Sequence, residues 1–388
     1  MLGVILLIVI LSSVFGESNK LTLNVTSKPE TYANGCPDSV ALKVYVENSG
    51  SMDGYMCGGS ELKDAVFDYI SDAKRLCKNV DYNYINTSVI PYKGTLDAYI
   101  KDLNPKSFAQ AGGDRANTDL PRMFQTVLAA HKTNTISVFV SDCILDIPED
   151  AKNYFGNCQI SFKNMFNDAL TRIPTLGVAI AQLESKFEGT WYCGKASEYL
   201  SNVKRPYYIW IIGDMRLLAE LNKVAPLGNV YKGIKNYSAY APVGSLPCAA
   251  NRTDFVVNHN DMIDVELLVD LSNTLQEEAI IKDCNQYSTQ HQGQVKLVSV
   301  LPITNPESAY SHVLHLQISN PKTLNEETVV FNYPYLAPWV EMSNDDTGKN
   351  VKANLNKTTG IKYLITGVAE AYKSYNACGN FAFKLKTK

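Results

Sequence analysis

The chain has 388 residues, with 36 Lys or Arg against 39 Asp or Glu, a formal net charge of −3 and five His. That balance excludes a nucleic-acid binder working by bulk positive charge. At 45% hydrophobic and 19% charged residues the sequence lies far from disorder and can bury a large core, with length enough for two domains.

The first element, 1–16, is an apolar run from Leu2 to Leu11, then Ser12 and Ser13, with Val14 and Gly16 at the small-residue positions of a cleavage site after Gly16. It reads as a signal peptide, too short to cross a bilayer core of about 30 Å comfortably. The expectation is a secreted, periplasmic or extracellular protein with no membrane span after cleavage, beginning with an N-terminal extension over 17–38. In such a compartment some of the nine cysteines should pair, and an odd count leaves at least one over. No CxxC, HExxH or zinc-finger spacing is present.

Over 39–245 apolar strands alternate with helical patterns. The run ALKVYVE at 41–47 predicts a buried first strand, and Ser60 the start of a helix burying Leu62, Val66, Tyr69, Ile70, Ala73 and Leu76. Residues 82–90 predict a second strand. Asp119 caps a helix with Pro121 in its first turn and Leu120, Met123, Phe124, Val127 and Leu128 on its inner face. TISVFVSD at 135–142, β-branched and apolar on both faces, predicts a central strand. A helix near 161–172 and strands at 176–183 and 207–213 complete the series. Right-handed crossovers would then give an α/β fold with a doubly wound, mostly parallel Rossmann-like sheet. Over 246–388 short strands dominate, at 265–271, 294–300, 313–318, 328–333 and 381–385, interrupted by a helix at 361–372. This predicts a second, smaller β-rich domain, sandwich-like with one helix.

The chemistry gathers at strand ends. Glu47, Ser49 and Ser51 stand at alternate positions, which point the same way while the chain stays extended. Thr118 precedes a helix, and Asp142 closes the central strand. In an open α/β sheet these positions lie outside the carboxyl ends of strands, where ligands bind. Two carboxylates and three hydroxyls suit a hard divalent cation, Mg²⁺ or Mn²⁺. Asp114 and Asp119 could add charge nearby. The same residues also suit caps and an Asx turn, and it is their convergence on one rim that favours a site.

This set resembles the metal-ion-dependent adhesion site of von Willebrand factor A and integrin I-like domains, whose pattern is D-x-S-x-S, a Thr before a helix and an Asp closing the next central strand. The resemblance spans about residues 38 to 240. It implies that Ser49 and Ser51 bind the ion directly, Thr118 directly or through water, and the carboxylates largely through water, with an acidic group of a protein or other extracellular ligand completing the shell. The sequence departs from the pattern in having Glu47 where the family has Asp, which moves the carboxylate by about 1.5 Å. On the implied topology Cys57 and Cys143 lie above adjacent strands, close enough for a disulfide.

The functional expectation is an exported adhesion or binding protein, a binding module being favoured over an enzyme without the sequence deciding between them. Two alternatives stand beside it: an exported hydrolase with a carboxylate-based site between the domains, and a metal-free scaffold component. No G-x-S-x-G elbow, P-loop or G-x-G-x-x-G supports another enzyme class. Asn24, Asn86, Asn236, Asn251 and Asn356 open N-glycosylation sequons, and 23 Tyr suggest displayed aromatics for binding carbohydrate or protein.

Overall fold

A computed structural model describes residues 19–26, 39–116, 119–147, 153–305, 307–332, 336–373 and 379–388. The 1–16 signal segment, Thr118, Cys36 and Cys378 lie outside the described residues.

The strands in chain order are β1 (Lys20–Val25), β2 (Ala41–Glu47), β3 (Asn79–Ile85), β4 (Val89–Tyr92), β5 (Thr135–Ser141), β6 (Leu176–Cys193), β7 (Ala196–Asp214) and β8 (Asn236–Tyr240). There follow β9 (Cys248–Ala250), β10 (Asp254–Val256), β11 (Met262–Val269), β12 (Tyr287–Thr289), β13 (Val295–Pro302), β14 (His312–Ser319) and β15 (Glu326–Phe331). A two-residue pair, β16 (Asn344–Asp345) and β17 (Thr358–Thr359), precedes β18 (Gly379–Thr387).

The largest sheet has seven strands in the order β4-β3-β2-β5-β7-β6-β8. Its centre follows from the sequence. Every residue of β5 is buried, and its side chains alternate between two cores: Ile136, Val138 and Val140 enter one, Phe139 the other. Helix Glu61–Ala73 covers the first face with Leu62, Ala65, Val66, Tyr69 and Ile70. Helices Leu120–Ala129, Tyr154–Arg172 and Ile361–Lys373 cover the second, where Phe124 packs against Phe139, Phe162 and Trp210.

The sheet is not the doubly wound, mostly parallel one that the sequence predicts. Only β2–β3 and β2–β5 are parallel, whereas β3–β4, β5–β7, β7–β6 and β6–β8 are antiparallel. The physical cause is local. Residues 184–206, which carry no helix, continue both strands into one long hairpin closed by the two-residue turn Gly194-Lys195. Gly194, at φ 59°, supplies the left-handed backbone such a tight turn requires. A hairpin can only be antiparallel, so β6 and β7 cannot be the successive crossover strands of a doubly wound fold.

The remaining large sheets are wholly antiparallel: five strands in the order β10-β1-β18-β15-β12, and four in the order β13-β14-β11-β9. Leu21 and Leu23 of the first, and Val265, Leu267, Leu314 and Leu316 of the second, share one core. Two elements tie distant parts of the sequence together. β1 pairs with β18 along Leu21–Val25 and Phe383–Thr387. Helix Ile361–Lys373 lies on helix Tyr154–Arg172 so closely that a methyl at Gly367 would overlap the Gln159 carbonyl oxygen. Among the sequons, Asn86 is buried and donates to the Gly112 carbonyl at 2.9 Å, whereas Asn24, Asn251 and Asn356 are exposed.

Candidate functional site

β2 and β5 are neighbours running in the same direction, so their carboxyl ends open side by side. β2 ends on Glu47, and Asp142 follows the last residue of β5. Both carboxyl groups are almost wholly buried, at 5% and 2% residue exposure. The Ser141 hydroxyl donates to Glu47 Oε2. The hydroxyls of Ser49 and Ser51 lie 3.0 Å apart. Asp142 Oδ1 accepts the Ile144 N–H at 3.3 Å, the Asx turn foreseen as its structural role. Its Oδ2 is buried and has no hydrogen-bond partner among the described residues.

Burial of the Glu47 carboxyl pushes its pKa up to about 8, with repulsion from Asp142 adding to the rise and the Ser141 and Ser49 hydroxyls opposing it. The Asp142 carboxyl is also raised by burial, against the Ser51 hydroxyl, the Ile144 N–H and the charge of Arg205. Two like charges this close cannot both ionise cheaply without a cation between or beside them. The following residue, Cys143, adopts φ 54°, a strained conformation for a side chain of its type and one often found at functional sites.

Above the carboxylates lies a cavity of about 430 Å³ lined by Glu47, Ser49, Gly50, Ser51, Arg115, Ala116, Ile144, Asp146, Tyr192 and Gly194. Its far wall is the β6–β7 hairpin. Register explains why: Ser141, the end of β5, pairs with Tyr208, so residues of β7 before Tyr208 rise past the sheet's end. The hairpin tip is fixed by the Gly194 N–H, which donates to the Asp146 carboxylate. Tyr192, 47% exposed, holds its ring beside Gly50. Helix Asp53–Gly58 sits against the same hairpin, Gly54 facing Phe187 and Gly58 facing the Lys186 backbone, with no room for a Cβ at either. Arg115 donates to Asn48 Oδ1, to the Ser49 carbonyl at 3.1 Å and to Asp53 Oδ1, bracing the 48–53 loop while facing the cavity.

The structure thus brings Glu47, Ser49, Ser51 and Asp142 together. Thr118 lies outside the described residues. Asp114 and Asp119 do not line the cavity; Asp114 accepts the Ala116 N–H, and Asp119 caps helix Leu120–Ala129 through the Arg122 N–H at 3.4 Å. The expected Cys57–Cys143 disulfide is not formed. Both residues are thiols, Cys57 exposed and Cys143 buried. Cys143 points into the core of the second face, accepting from Trp210 Nε1 at 3.3 Å, while the helix bearing Cys57 packs on the first. Burial pushes the Cys143 thiol well up. Ser141, Arg115 and Tyr192 are site residues that the sequence reading did not single out. Ser141 had a signal, being a polar residue next to Asp142 at the end of a wholly buried strand, whereas Arg115 and Tyr192 meet the site only through loop and hairpin geometry.

Among the described residues no group of three or more His, Cys, Asp and Glu side chains is arranged to hold a metal. The donor set that does converge, two carboxylates and two hydroxyls with one orphaned carboxylate oxygen, fits a hard cation that keeps waters or takes an outside ligand. Compared with protein-family models and with curated proteins, the sequence matches none. Together with the mixed and antiparallel sheets, this removes the resemblance to von Willebrand factor A and integrin I-like domains: the short pattern around Glu47 is present without the family's fold. No helix among the described residues is long and apolar enough to cross a membrane.

Proposed function

We propose that this is an exported binding protein that captures an acidic group of a protein or other extracellular ligand, with Mg²⁺ or Mn²⁺ held by Glu47, Ser49, Ser51 and Asp142. The observation that carries the reading is the buried Asp142 Oδ2, without a hydrogen-bond partner among the described residues, behind a Glu47 that lines an open cavity. A bare pair of buried carboxyls is costly, and a divalent ion would offset that cost while presenting a Lewis-acidic face to an anion. Arg115, paired with Asp53, places its guanidinium on the same cavity wall, and Tyr192 an aromatic ring. The export part of the reading rests on residues 1–16.

The alternative of a carboxylate-based hydrolase draws on one observation, a Glu47 carboxyl raised far enough to hold its proton near neutral pH. One experiment separates the two. Thermal melting with and without millimolar Mg²⁺ or Mn²⁺, after treatment with chelator, should show stabilisation of about 2–3 kcal/mol when the ion is at ~100 times its Kd. Ser51→Ala and Asp142→Asn should each reduce it. No shift with either ion in the wild type would remove the cation from the site, and turnover of chromogenic glycosides would then support the hydrolase.

A further inference from the structure

A second cavity, of about 560 Å³, adjoins the first across one step of the chain. Asp146 lines the first and Ile147 the second, and Gly194 packs against the Ile147 carbonyl between them. The second is lined by Ile147, Asn153, Tyr154, Phe155, Gly156, Asp346, Thr347, Lys349 and Tyr363. Its volume lies within the usual range of roughly 300–1,000 Å³ for small-ligand sites. Phe155 and Tyr363 stack with ring centroids 4.8 Å apart and planes 4° from parallel, and both are half-buried, as is Tyr154. Tyr363 is fixed by its hydroxyl, which donates to Asp346 Oδ1 at 2.8 Å.

Polar groups of both kinds surround these rings. Asp346 and Thr347 bring oxygen acceptors, and Lys349 an exposed ammonium. The cavity also meets the start of helix Tyr154–Arg172, whose Asn153 side chain makes no cap bond among the described residues. Rigid aromatic surface ringed by alternating donors and acceptors matches a ligand with apolar C–H faces edged by hydroxyls. A peptide would need a sheet edge or an apolar groove, and an anion would meet the Asp346 charge.

We propose that this cavity binds a saccharide, using Tyr154 and the outer face of Phe155 for the sugar faces, with Tyr363 backing Phe155 from its other side, and Asp346, Thr347 and Lys349 for its hydroxyls. The proposal is independent of the cation. The test is saturation-transfer NMR and calorimetry on the full chain with a panel of neutral oligosaccharides, with and without chelator. The expected result is transfer to the protons of at least one saccharide, persisting in chelator. Tyr363→Leu and Lys349→Ala should each weaken it roughly tenfold, the scale of a lost aromatic or charge-assisted contact. Lys349 is exposed, so its variant folds even if Tyr363→Leu does not. Absence of transfer across the panel would overturn the proposal. So would binding unchanged in Lys349→Ala and in a folded Tyr363→Leu protein, or binding abolished by chelator, which would place the sugar at Glu47 and Asp142.

Discussion

Replacing Glu47 by Gln should make the cation-free protein more stable in mildly alkaline buffer. In the folded state the carboxyl has its pKa raised from 4.5 to about 8 by burial and by Asp142. A carboxyl raised on folding binds its proton more tightly in the native state, so its contribution to stability is least unfavourable below about pH 4.5. The penalty grows as pH rises through that value and is complete above pH 8. A rise from 4.5 to about 8 corresponds to roughly 5 kcal/mol at most, and sharing of the effect with Asp142 brings the expected value for one substitution to about 2–4 kcal/mol. Gln keeps the shape and an acceptor for the Ser141 hydroxyl but cannot ionise. In chelator, Glu47→Gln should therefore melt close to wild type at pH 5 and roughly 2–5 °C above it at pH 8.5. Saturating Mg²⁺ at pH 8.5 should narrow or reverse the gap, because only the wild type has the full ligand set. Differential scanning calorimetry over pH 5–8.5 reads all of this. Parallel curves for the two proteins in chelator would refute the claim that Glu47 is buried beside a second carboxyl.

His131 should act in the opposite direction: burial, with Arg172 and Lys43 nearby, lowers its pKa to about 4, so its neutral form is the folded one. Stability should fall as pH drops from about 6.5 towards 4, and His131→Gln should flatten that limb of the melting curve by about 2–3 kcal/mol. Gly367→Ala should cost at least ~2 kcal/mol, since its methyl would overlap the Gln159 carbonyl oxygen; urea midpoints would detect it, and a neutral result would mean that the two helices are not in contact there. Arg205, 2% exposed, donates from Nη1 to the Asn354 and Leu355 carbonyls at 3.2 and 3.1 Å. Arg205→Met should destabilise by about 1–3 kcal/mol through those orphaned acceptors, and an unchanged denaturant midpoint would count against the contact.

The legible parts of this fold are those whose signal is local. Apolar, β-branched runs at 41–47 and 135–142 located β2 and β5, and the i, i+3/i+4 spacing of Ile361, Leu364, Ile365, Val368 and Tyr372 located a helix that buries all five. Glu47, Ser49, Ser51 and Asp142 were legible as a group because two neighbouring parallel strands end there. Strand direction was not legible, because it is set by connections. Residues 184–206 are polar enough to pass for a linker, although Phe187, Trp191 and Cys193 alternate inward and Gly194-Lys195 marks a turn. One two-residue turn therefore changed a parallel sheet into a mixed one, and the same hairpin brought Tyr192 to the cavity. The thiols show the same limit: Cys57 and Cys143 bracket the site in sequence, yet opposite faces of the sheet separate them.

The pairing of β1 with β18 imposes an order of events on a nascent chain. Lys20–Val25 is made first but cannot find Phe383–Thr387 until nearly everything between them has been synthesised. Until then Leu21 and Leu23, destined for a common core, have at most the three-residue β10 on one side of their strand and nothing on the other. Closing so large a loop is slow even though its entropic cost grows only logarithmically with length. The five-stranded sheet should thus be the last part to lock, after β2 and β5 have already brought their carboxylate pair together, and an interrupted chain would carry a formed site on an open, aggregation-prone scaffold.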